Sequence, residues 1–425
     1  MIDRKLIREE PDLVRQGIKN RGSDFDVDEL IRLDERRREL LEVEQIKAER
    51  NRLSKEIGTA LKSGGDAEAL KAQVGDLKEQ ITAMEAELGE VDALFEQRML
   101  EIPNLPRPEV PVGGGEDDNI PLHECGKKPS FDFEPKGHWE VGEALGILNF
   151  AAAARIAGAR FALDLGAGAQ MERALMNFML DTHTREHKYV EVLPPFLANA
   201  QALTGTGSLP KFEEDLFKTT VGLYLVPTAE VPLTNLHQGE ILEAKDLPLY
   251  YTAYTPCFRS EAGAAGRESR GLIRLHQFNK VELMKFTTPE QAPEELEKLT
   301  QNAETILAQL GLPYRRLALC TGDMGFSSAQ TFDLEVWMPG MGRWVEISSC
   351  SQYGDFQARR CETRYRAEAE AKPAYVHTMN GSGLAIGRSL AAILENYQQE
   401  NGAVVVPEVL RPYMGGLAEI LPPLP

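Results

Sequence analysis

The sequence predicts an α+β protein in which an N-terminal antiparallel two-helix coiled-coil arm precedes a domain built on an antiparallel β-sheet flanked by helices. Three observations support this prediction. Apolar residues repeat in heptads near the N-terminus, a proline-rich segment follows residue 102, and several later segments have strand patterns without regular alternation with helices. The last pattern favours an antiparallel sheet over a parallel α/β sheet.

The arm is predicted from two stretches of helical pattern joined by a turn. In the second stretch, the apolar positions alternate in steps of four and three and form a heptad seam: Leu70, Val74, Leu77, Ile81, Met84, Leu88, Val91 and Phe95. The first stretch, residues 28–61, has a less regular seam: Leu40, Val43, Ile46, Leu53, Ile57 and Leu61. Residues 62–66 contain two glycines and form the turn. Helices of about 30 residues each give an arm of roughly 45 Å. These residues alone leave open whether the arm is a spacer, a dimerisation element or a contact to a large partner.

Prolines and glycines then mark a domain boundary. We predict an N-terminal domain over residues 1–102, a linker over 103–118 and a second domain over 119–425. In that domain, helices are expected at residues 171–187 and 384–398. Strands are expected at residues 190–193, 272–284 and 342–349.

Composition excludes several classes of protein. The net charge of −19 argues against nonspecific coating of nucleic acid, although a local basic face for tRNA is still allowed. Five scattered cysteines without a CxxC pair predict no disulfide framework and no zinc site. The N-terminus, MIDRKLIREE, lacks an apolar leader, and no apolar run reaches the about 20 residues of a membrane span. We therefore expect a cytoplasmic protein that does not enter a membrane.

The chemistry is concentrated in a strand, a long glycine-containing loop and a second strand, which together cover residues 255–278. A nucleotide site needs a cation for the phosphates, an acceptor for the adenine amino group and a flat apolar surface for the base. Arg259, Glu261 and Phe278 can supply these in turn. On their own, Arg259 and Glu261 lie two apart on one face of a strand and favour a structural ion pair over a nucleotide site.

Further motifs give this segment a context. Residues 258–261 (FRSE) resemble motif 2 of the class II aminoacyl-tRNA synthetases, residues 192–196 (VLPPF) resemble motif 1, and residues 383–388 (GLAIGR) resemble motif 3. Residues 228–230, 276–282, 345–351 and 380–383 resemble the seryl-tRNA synthetase family in particular. This resemblance covers nearly the whole chain. It implies a class II catalytic fold, a homodimer, and a ligase that uses ATP to join L-serine to tRNA(Ser), and to tRNA(Sec) as well.

The resemblance also implies which residues bind serine: Thr228, Ala229, Glu230, Arg259, Glu282 and Ser382. Glu230 would face the ammonium group, while Glu282 and Ser382 would meet the hydroxyl group. A buried carboxylate such as Glu282 would reject alanine, because alanine would leave it unpaired.

For ATP, the resemblance implies a larger set: Arg259, Ser260, Glu261, Arg274, Phe278, Glu346, Ile347, Ser348, Ser349 and Arg388. Arg259 and Arg388 would be the catalytic cations, on the α- and γ-phosphates. Glu346 and Ser349 would hold Mg²⁺ together with the phosphates. His276 is expected to be structural, and Arg267 and Arg270 are equally compatible with tRNA contact and with a solvated loop.

The arm then becomes a candidate tRNA clamp, with phosphate-binding cations on its first helix: Arg32, Arg36, Arg37, Arg38, Lys47, Arg50, Arg52 and Lys55. Two other functions remain open. One is an amino-acid-activating relative that does not use tRNA, and the other is a coiled-coil scaffold that carries an inactive synthetase-like domain.

Overall fold

A computed structural model describes residues 1–64, 66–262 and 270–423. The chain forms two compact units. The smaller unit comprises Ile2–Lys19 and Ser23–Pro103. The larger unit comprises Asn104–Pro425 together with Met1 and Asn20–Gly22. The predicted linker over residues 103–118 stays a prediction. None of the helices in the described residues combines the length and apolar character that a membrane span requires.

The N-terminal unit is helical, with α1 (Arg4–Glu9), α2 (Pro11–Asn20), α3 (Val27–Leu40), α4 (Val43–Lys62) and α5 (Glu68–Glu101). Asp26 caps α3 by accepting a hydrogen bond from the Glu29 amide at 2.9 Å. α4 and α5 pack antiparallel, and Lys47 of α4 pairs with Glu85 of α5 at 2.8 Å. The seam of α5 faces inward, with Phe95 fully buried at its base. The predicted coiled-coil arm is confirmed.

Two details of the arm differ from the sequence prediction. The stretch over residues 28–61 is not one helix, because Leu41 and Glu42 have ψ angles of −16° and −14° and form a tighter turn between α3 and α4. Leu61 is 53% exposed and does not belong to the seam, since it lies at the end of the arm. Gly65 of the predicted turn lies outside the described residues.

The larger unit combines helices and strands. Its helices are α6 (His138–Ala144), α7 (Phe150–Ala157), α8 (Ala167–Arg185), α9 (Ala200–Thr206), α10 (Glu230–Thr234), α11 (Ala292–Gln309), α12 (Phe356–Cys361) and α13 (Ile386–Asn396). Its strands are β1 (Ile120–Cys125), β2 (Val190–Glu191), β3 (Leu197–Ala198), β4 (Tyr224–Leu225), β5 (Ile241–Glu243), β6 (Leu249–Phe258), β7 (Gln277–Thr287), β8 (Tyr314–Ala318), β9 (Gln330–Met338), β10 (Arg343–Gly354), β11 (Arg364–Arg366), β12 (Ala374–Tyr375), β13 (His377–Ala385), β14 (Val404–Val405) and β15 (Glu419–Ile420).

Within the described residues, the main sheet has eight strands in the order β1-β8-β9-β10-β13-β7-β6-β2. Neighbouring strands are antiparallel except for β2, which lies parallel to β6 at one edge. Apolar side chains of α8, α11 and α13 join those of the central strands in one hydrophobic core, which includes Leu175, Leu299, Leu390 and Leu283. The predicted α+β class with an antiparallel sheet is confirmed.

Several boundaries move relative to the sequence prediction. The strand expected from residue 272 begins at Gln277, because Gly271 has a left-handed φ of +72° and the chain turns before it enters β7. The helix expected from residue 384 begins at Ile386, since Leu384 and Ala385 still pair with β7. Only Val190 and Glu191 of the strand expected at 190–193 lie in the sheet, and prolines follow at 194 and 195.

Candidate active site

The central strands β7, β10 and β13 and the start of α13 surround a cavity of about 630 Å³. Twelve of the predicted site residues line it: Thr228, Glu230, Arg259, Glu261, Arg274, Phe278, Glu282, Glu346, Ile347, Ser349, Ser382 and Arg388. The fold therefore brings together residues that lie up to 160 positions apart in the chain, since the segments of motif 2 and motif 3 border the same space.

One end of the cavity has a cation over an aromatic ring. The guanidinium carbon of Arg259 lies 5.1 Å from the centre of the Phe278 ring, and Arg259 Nε donates to the Pro227 carbonyl at 3.3 Å. His276 ties the two strand ends together, because its carbonyl accepts from the Arg259 amide at 2.9 Å and its Nδ1 donates to the Arg259 carbonyl at 2.9 Å. Arg259 is thus fixed by its own backbone and by its side chain.

Arg388 reaches the same cavity from the first turn of α13. Its Nη1 donates to the Glu346 carbonyl at 2.6 Å, and its Nε donates to the Ile273 carbonyl at 3.3 Å. The Glu346 carboxylate lies 3.5 Å from the same Nη1. These bonds link the motif 3 helix to β10 and to the segment before β7.

Glu261 and Arg274 form an ion pair on the cavity wall, in which Arg274 Nη1 donates to Glu261 Oε2. The partner of Glu261 is therefore Arg274 and not Arg259, which leaves the Arg259 guanidinium over the Phe278 ring.

Within this cavity Glu282 is only 2% exposed and lies among polar side chains. We call this group the polar pocket; its other members are Thr228, Glu230, Lys280 and Ser382. Glu282 Oε2 accepts from Thr228 Oγ1 at 3.1 Å and pairs with Lys280 Nζ at 2.5 Å. Ser382 lies directly opposite Glu282 in the β7–β13 register. Burial, and then the nearby charge of Glu282, raise the pKa of the Glu230 carboxyl group above its ordinary value. This pocket therefore favours a small ligand that brings a positive charge and a hydroxyl donor.

A β-bulge in β10 decides which of its side chains face the cavity. Glu346 pairs with Glu335 of β9, but Ser348 already pairs with Leu334, so the register shifts at Ile347. As a result Glu346 and Ser349 share the cavity face, while Ser348 points into the interior.

Three predicted residues do not line the cavity. Ala229 is fully buried and packs in a separate apolar cluster with Leu233. Ser260 donates its hydroxyl to the Glu214 carbonyl, because it lies against the short turn at Glu213–Asp215. Ser348 donates to the Ser382 carbonyl at 2.7 Å.

Sequence reasoning missed Lys280 and Asp333, which both line the cavity. Lys280 lies two residues before Glu282, so strand alternation gave a usable signal for it. Asp333 lies opposite Ser349 across β9 and β10, and the sequence gives no sign of that pairing. Burial, and then the charge of Glu346, raise the pKa of the Asp333 carboxyl group well above its ordinary value. Among the described residues, Asp333 Oδ1 is buried without a hydrogen-bond partner.

The structure describes one of the two loop arginines. The guanidinium carbon of Arg270 lies 5.2 Å from the centre of the Trp139 ring, and Arg267 lies outside the described residues.

Comparisons with known proteins decide the family. Residues 1–106 match the seryl-tRNA synthetase N-terminal domain, and residues 213–397 match the class II tRNA synthetase core domain shared by the G, H, P, S and T enzymes. A relative from Pelobacter propionicus described as a serine--tRNA ligase is 56% identical over 422 residues, which cover 99% of this chain and 100% of the relative. The chain belongs to the seryl-tRNA synthetase family.

Solved structures of this family have the same fold. The seryl-tRNA synthetase from Pyrococcus horikoshii, crystallised in complex with ATP, is 38% identical with a TM-score of 0.94 over 100% of both chains. The cytoplasmic serine-tRNA ligase from Naegleria fowleri, in complex with AMP, is 29% identical with a TM-score of 0.89 over 99% of both chains. The seryl-tRNA synthetase fold, and with it the predicted class II architecture, is confirmed.

Proposed function

We propose that this protein is an ATP-dependent serine--tRNA ligase. It activates L-serine with ATP to seryl-adenylate and transfers the seryl group to the 3′ end of tRNA(Ser). The observation that carries the proposal is that Arg259, Phe278 and Arg388 line the same cavity as Glu230 and Glu282 of the polar pocket. Relatives named serine--tRNA ligase match essentially the whole chain, which supports the same activity.

In this proposal the purine lies against Phe278 and the phosphates lie along Arg259 and Arg388. The serine carboxylate attacks the α-phosphorus, the α-phosphorus–oxygen bond breaks and pyrophosphate leaves. The nucleophile is already ionised, so the site needs charge neutralisation more than proton transfer, and fixed guanidinium groups provide it. In the second step, the 3′-hydroxyl of the terminal tRNA adenosine attacks the seryl carbonyl and AMP leaves.

The polar pocket accounts for serine as the substrate. Its ammonium group would face the Glu230 carboxylate, and its hydroxyl group would donate to Glu282. Alanine would leave a buried carboxylate short of one hydrogen bond, which lowers kcat/KM for alanine by about 10⁴-fold relative to serine.

Mg²⁺ is part of the proposal. In the described residues no three His, Cys, Asp or Glu side chains form a metal cage. Mg²⁺ takes only one or two protein carboxylates when substrate phosphates complete its shell, so the donor set of Glu346 and Ser349 fits it. Asp333 pairs with Ser349 across β9 and β10, and its Oδ1, which has no hydrogen-bond partner in the described residues, also fits a nearby cation. When bound, Mg²⁺ would neutralise phosphate charge.

The arm is proposed to bind tRNA, but through fewer cations than its first helix carries. Within the described residues, six of the eight predicted cations already have carboxylate partners: Arg32 with Asp26, Arg36 with Glu87, Arg37 with Asp92, Arg38 with Asp34, Lys47 with Glu85 and Arg52 with Glu49. Arg50 and Lys55 form no ion pair with the described residues, and we propose them as phosphate contacts. The family resemblance extends the proposal to tRNA(Sec) and to a cytoplasmic location.

We also propose a homodimer. Its support is the edge strand β2 and the segment after it, where Val190 and Leu193 are 58% and 79% exposed. Light scattering should give twice the chain mass of 47.2 kDa. A Leu193→Asp variant should shift the mass toward the monomer.

Two assays test the function. Serine should drive ATP–pyrophosphate exchange by the purified protein, and radiolabelled serine should become attached to tRNA(Ser). Exchange without charging would favour the tRNA-independent relative. No exchange with any amino acid would favour the inactive scaffold and contradict the proposal.

A further inference from the structure

We propose that His183, on the long helix α8, is a positioning residue for the serine pocket. It would hold Ser382 in place through the β-bulge at Gly383. This inference rests on the proposed function, because it concerns how the pocket recognises its amino acid.

His183 is fully buried, and within the described part of the chain its imidazole makes two hydrogen bonds. Its Nε2 lies 3.1 Å from the Gly383 carbonyl oxygen, and its Nδ1 lies 3.0 Å from His187 Nδ1. A carbonyl oxygen only accepts, so Nε2 carries the proton and donates. Nδ1 of the neutral ring then accepts from His187 Nδ1–H. Burial lowers the pKa of His183 to about 3, which keeps the ring neutral at ordinary pH.

The residue that receives this bond is the irregular point of β13. Ser382 pairs with Glu282 and Leu384 pairs with Val281, so Gly383 is the extra residue of a bulge between β13 and β7. A Cβ atom at Gly383 would lie 2.7 Å from His183 Nε2, so only glycine allows this close approach. The imidazole therefore occupies the space beside the bulge and bonds to its carbonyl.

Both peptide carbonyls at this point are held from the protein interior. Ser348 Oγ donates to the Ser382 carbonyl at 2.7 Å, and His183 donates to the next carbonyl, that of Gly383. With its backbone fixed on both sides, Ser382 faces the cavity opposite Glu282. Arg388 lies further along and is held by its own bonds to Glu346 and Ile273, so we expect the effect to fall on serine more than on ATP.

Removal of the imidazole should therefore let the bulge relax and displace Ser382. A His183→Ala variant should raise the KM for serine about 10-fold or more in pyrophosphate exchange, because small displacements of substrate-binding groups have large effects. The KM for ATP should change less than about 2-fold. The ratio of kcat/KM for serine to that for alanine should fall, since alanine has no hydroxyl group for Ser382 to meet.

Two further variants separate positioning from general stability. A His183→Gln side chain can still donate to the Gly383 carbonyl and should restore most of the serine KM. Thr182→Val is the matched control. Thr182 is buried on the same helix, but among the residues that the structure describes its hydroxyl donates to the Phe178 carbonyl of that helix alone, at 2.9 Å. This variant should lower the unfolding temperature without changing the KM for serine.

An NMR measurement tests the inference without any substrate. In protein labelled with ¹⁵N-histidine, His183 should be protonated at Nε2 and His187 at Nδ1, and the His183 signal should persist in the Ser382→Ala variant. A His183 protonated at Nδ1, or a serine KM that changes equally in His183→Ala and Thr182→Val, would overturn the inference. If wild-type protein shows no exchange while the tautomer is as stated, the proposed function fails and the His183–Gly383 bond stands.

Discussion

Replacement of Glu282 by glutamine is the sharpest test of how the pocket selects its substrate. The carboxylate is 2% exposed and already accepts from Thr228 at 3.1 Å and pairs with Lys280 at 2.5 Å. Glutamine keeps the shape but removes the charge. A hydrogen bond to a charged group contributes about 1.5–3 kcal/mol, so the KM for serine should rise about 10- to 150-fold. The KM for ATP should stay within about 2-fold.

The same substitution leaves the buried Lys280 without its paired carboxylate, which also destabilises the fold by up to about 3–5 kcal/mol. A control must therefore reproduce this loss away from the cavity. Lys285 and Glu295 form a second buried pair at 2.8 Å, and neither residue lines the cavity. Glu295→Gln should lower the unfolding temperature as Glu282→Gln does, with unchanged KM for serine.

The assay is ATP–pyrophosphate exchange with serine, threonine and alanine, together with thermal unfolding of each variant. Glu282→Gln should reduce kcat/KM for serine and threonine, which both have the hydroxyl group, and should leave alanine nearly unchanged. An unchanged KM for serine, or an equal loss for all three amino acids, would refute the assignment of Glu282 to the substrate hydroxyl.

Three further predictions concern the metal, the core and the arm. Asp333→Asn should raise the Mg²⁺ concentration that gives half-maximal pyrophosphate exchange by about 10-fold or more. It should also weaken Mn²⁺ binding, which electron paramagnetic resonance measures with ATP present. If both values are unchanged, Asp333 does not belong to the cation site. Burial raises the pKa of Glu172 to about 8 from an ordinary 4.5, so folding favours its protonated form, and stability is lost progressively as the pH rises from 4.5 to about 8. Glu172→Gln should therefore gain up to about 5 kcal/mol over wild type at pH 9 and little at pH 4 in urea unfolding, and a pH-independent difference would contradict this cause. The double variant Arg50→Gln with Lys55→Gln should raise the KM for tRNA without changing pyrophosphate exchange, and the slope of log K for tRNA binding against log salt concentration should become about 1–2 less steep. Arg36→Gln is the control, and its effect should be smaller because Arg36 is paired with Glu87. Equal effects of the two variants would argue against Arg50 and Lys55 as the phosphate contacts.

The arm and the general fold class follow from local sequence patterns. A heptad seam needs no knowledge of the rest of the chain, and the predicted seam from Leu70 to Phe95 faces the partner helix. Leu61 was misassigned because the heptad periodicity continues to the end of the arm, where the Leu61 side chain is 53% exposed.

Strand alternation identifies the cavity-facing residues of a regular strand, but it fails at a bulge. Glu346 and Ser348 are two apart and should share a face by simple alternation. The bulge at Ile347 turns Ser348 inward and brings Ser349 onto the cavity face. Asp333 and His183 depend on contacts between distant strands and helices, which no local pattern encodes.

The central claim is that two arginines from distant parts of the chain act on one triphosphate. It is tested most directly by a crystal structure with serine and a nonhydrolysable ATP analogue. We expect the purine between Phe278 and Arg388, the α-phosphate beside Arg259 and the serine hydroxyl within hydrogen-bond distance of Glu282. Nucleotide bound elsewhere, or phosphates that contact neither arginine, would contradict the account.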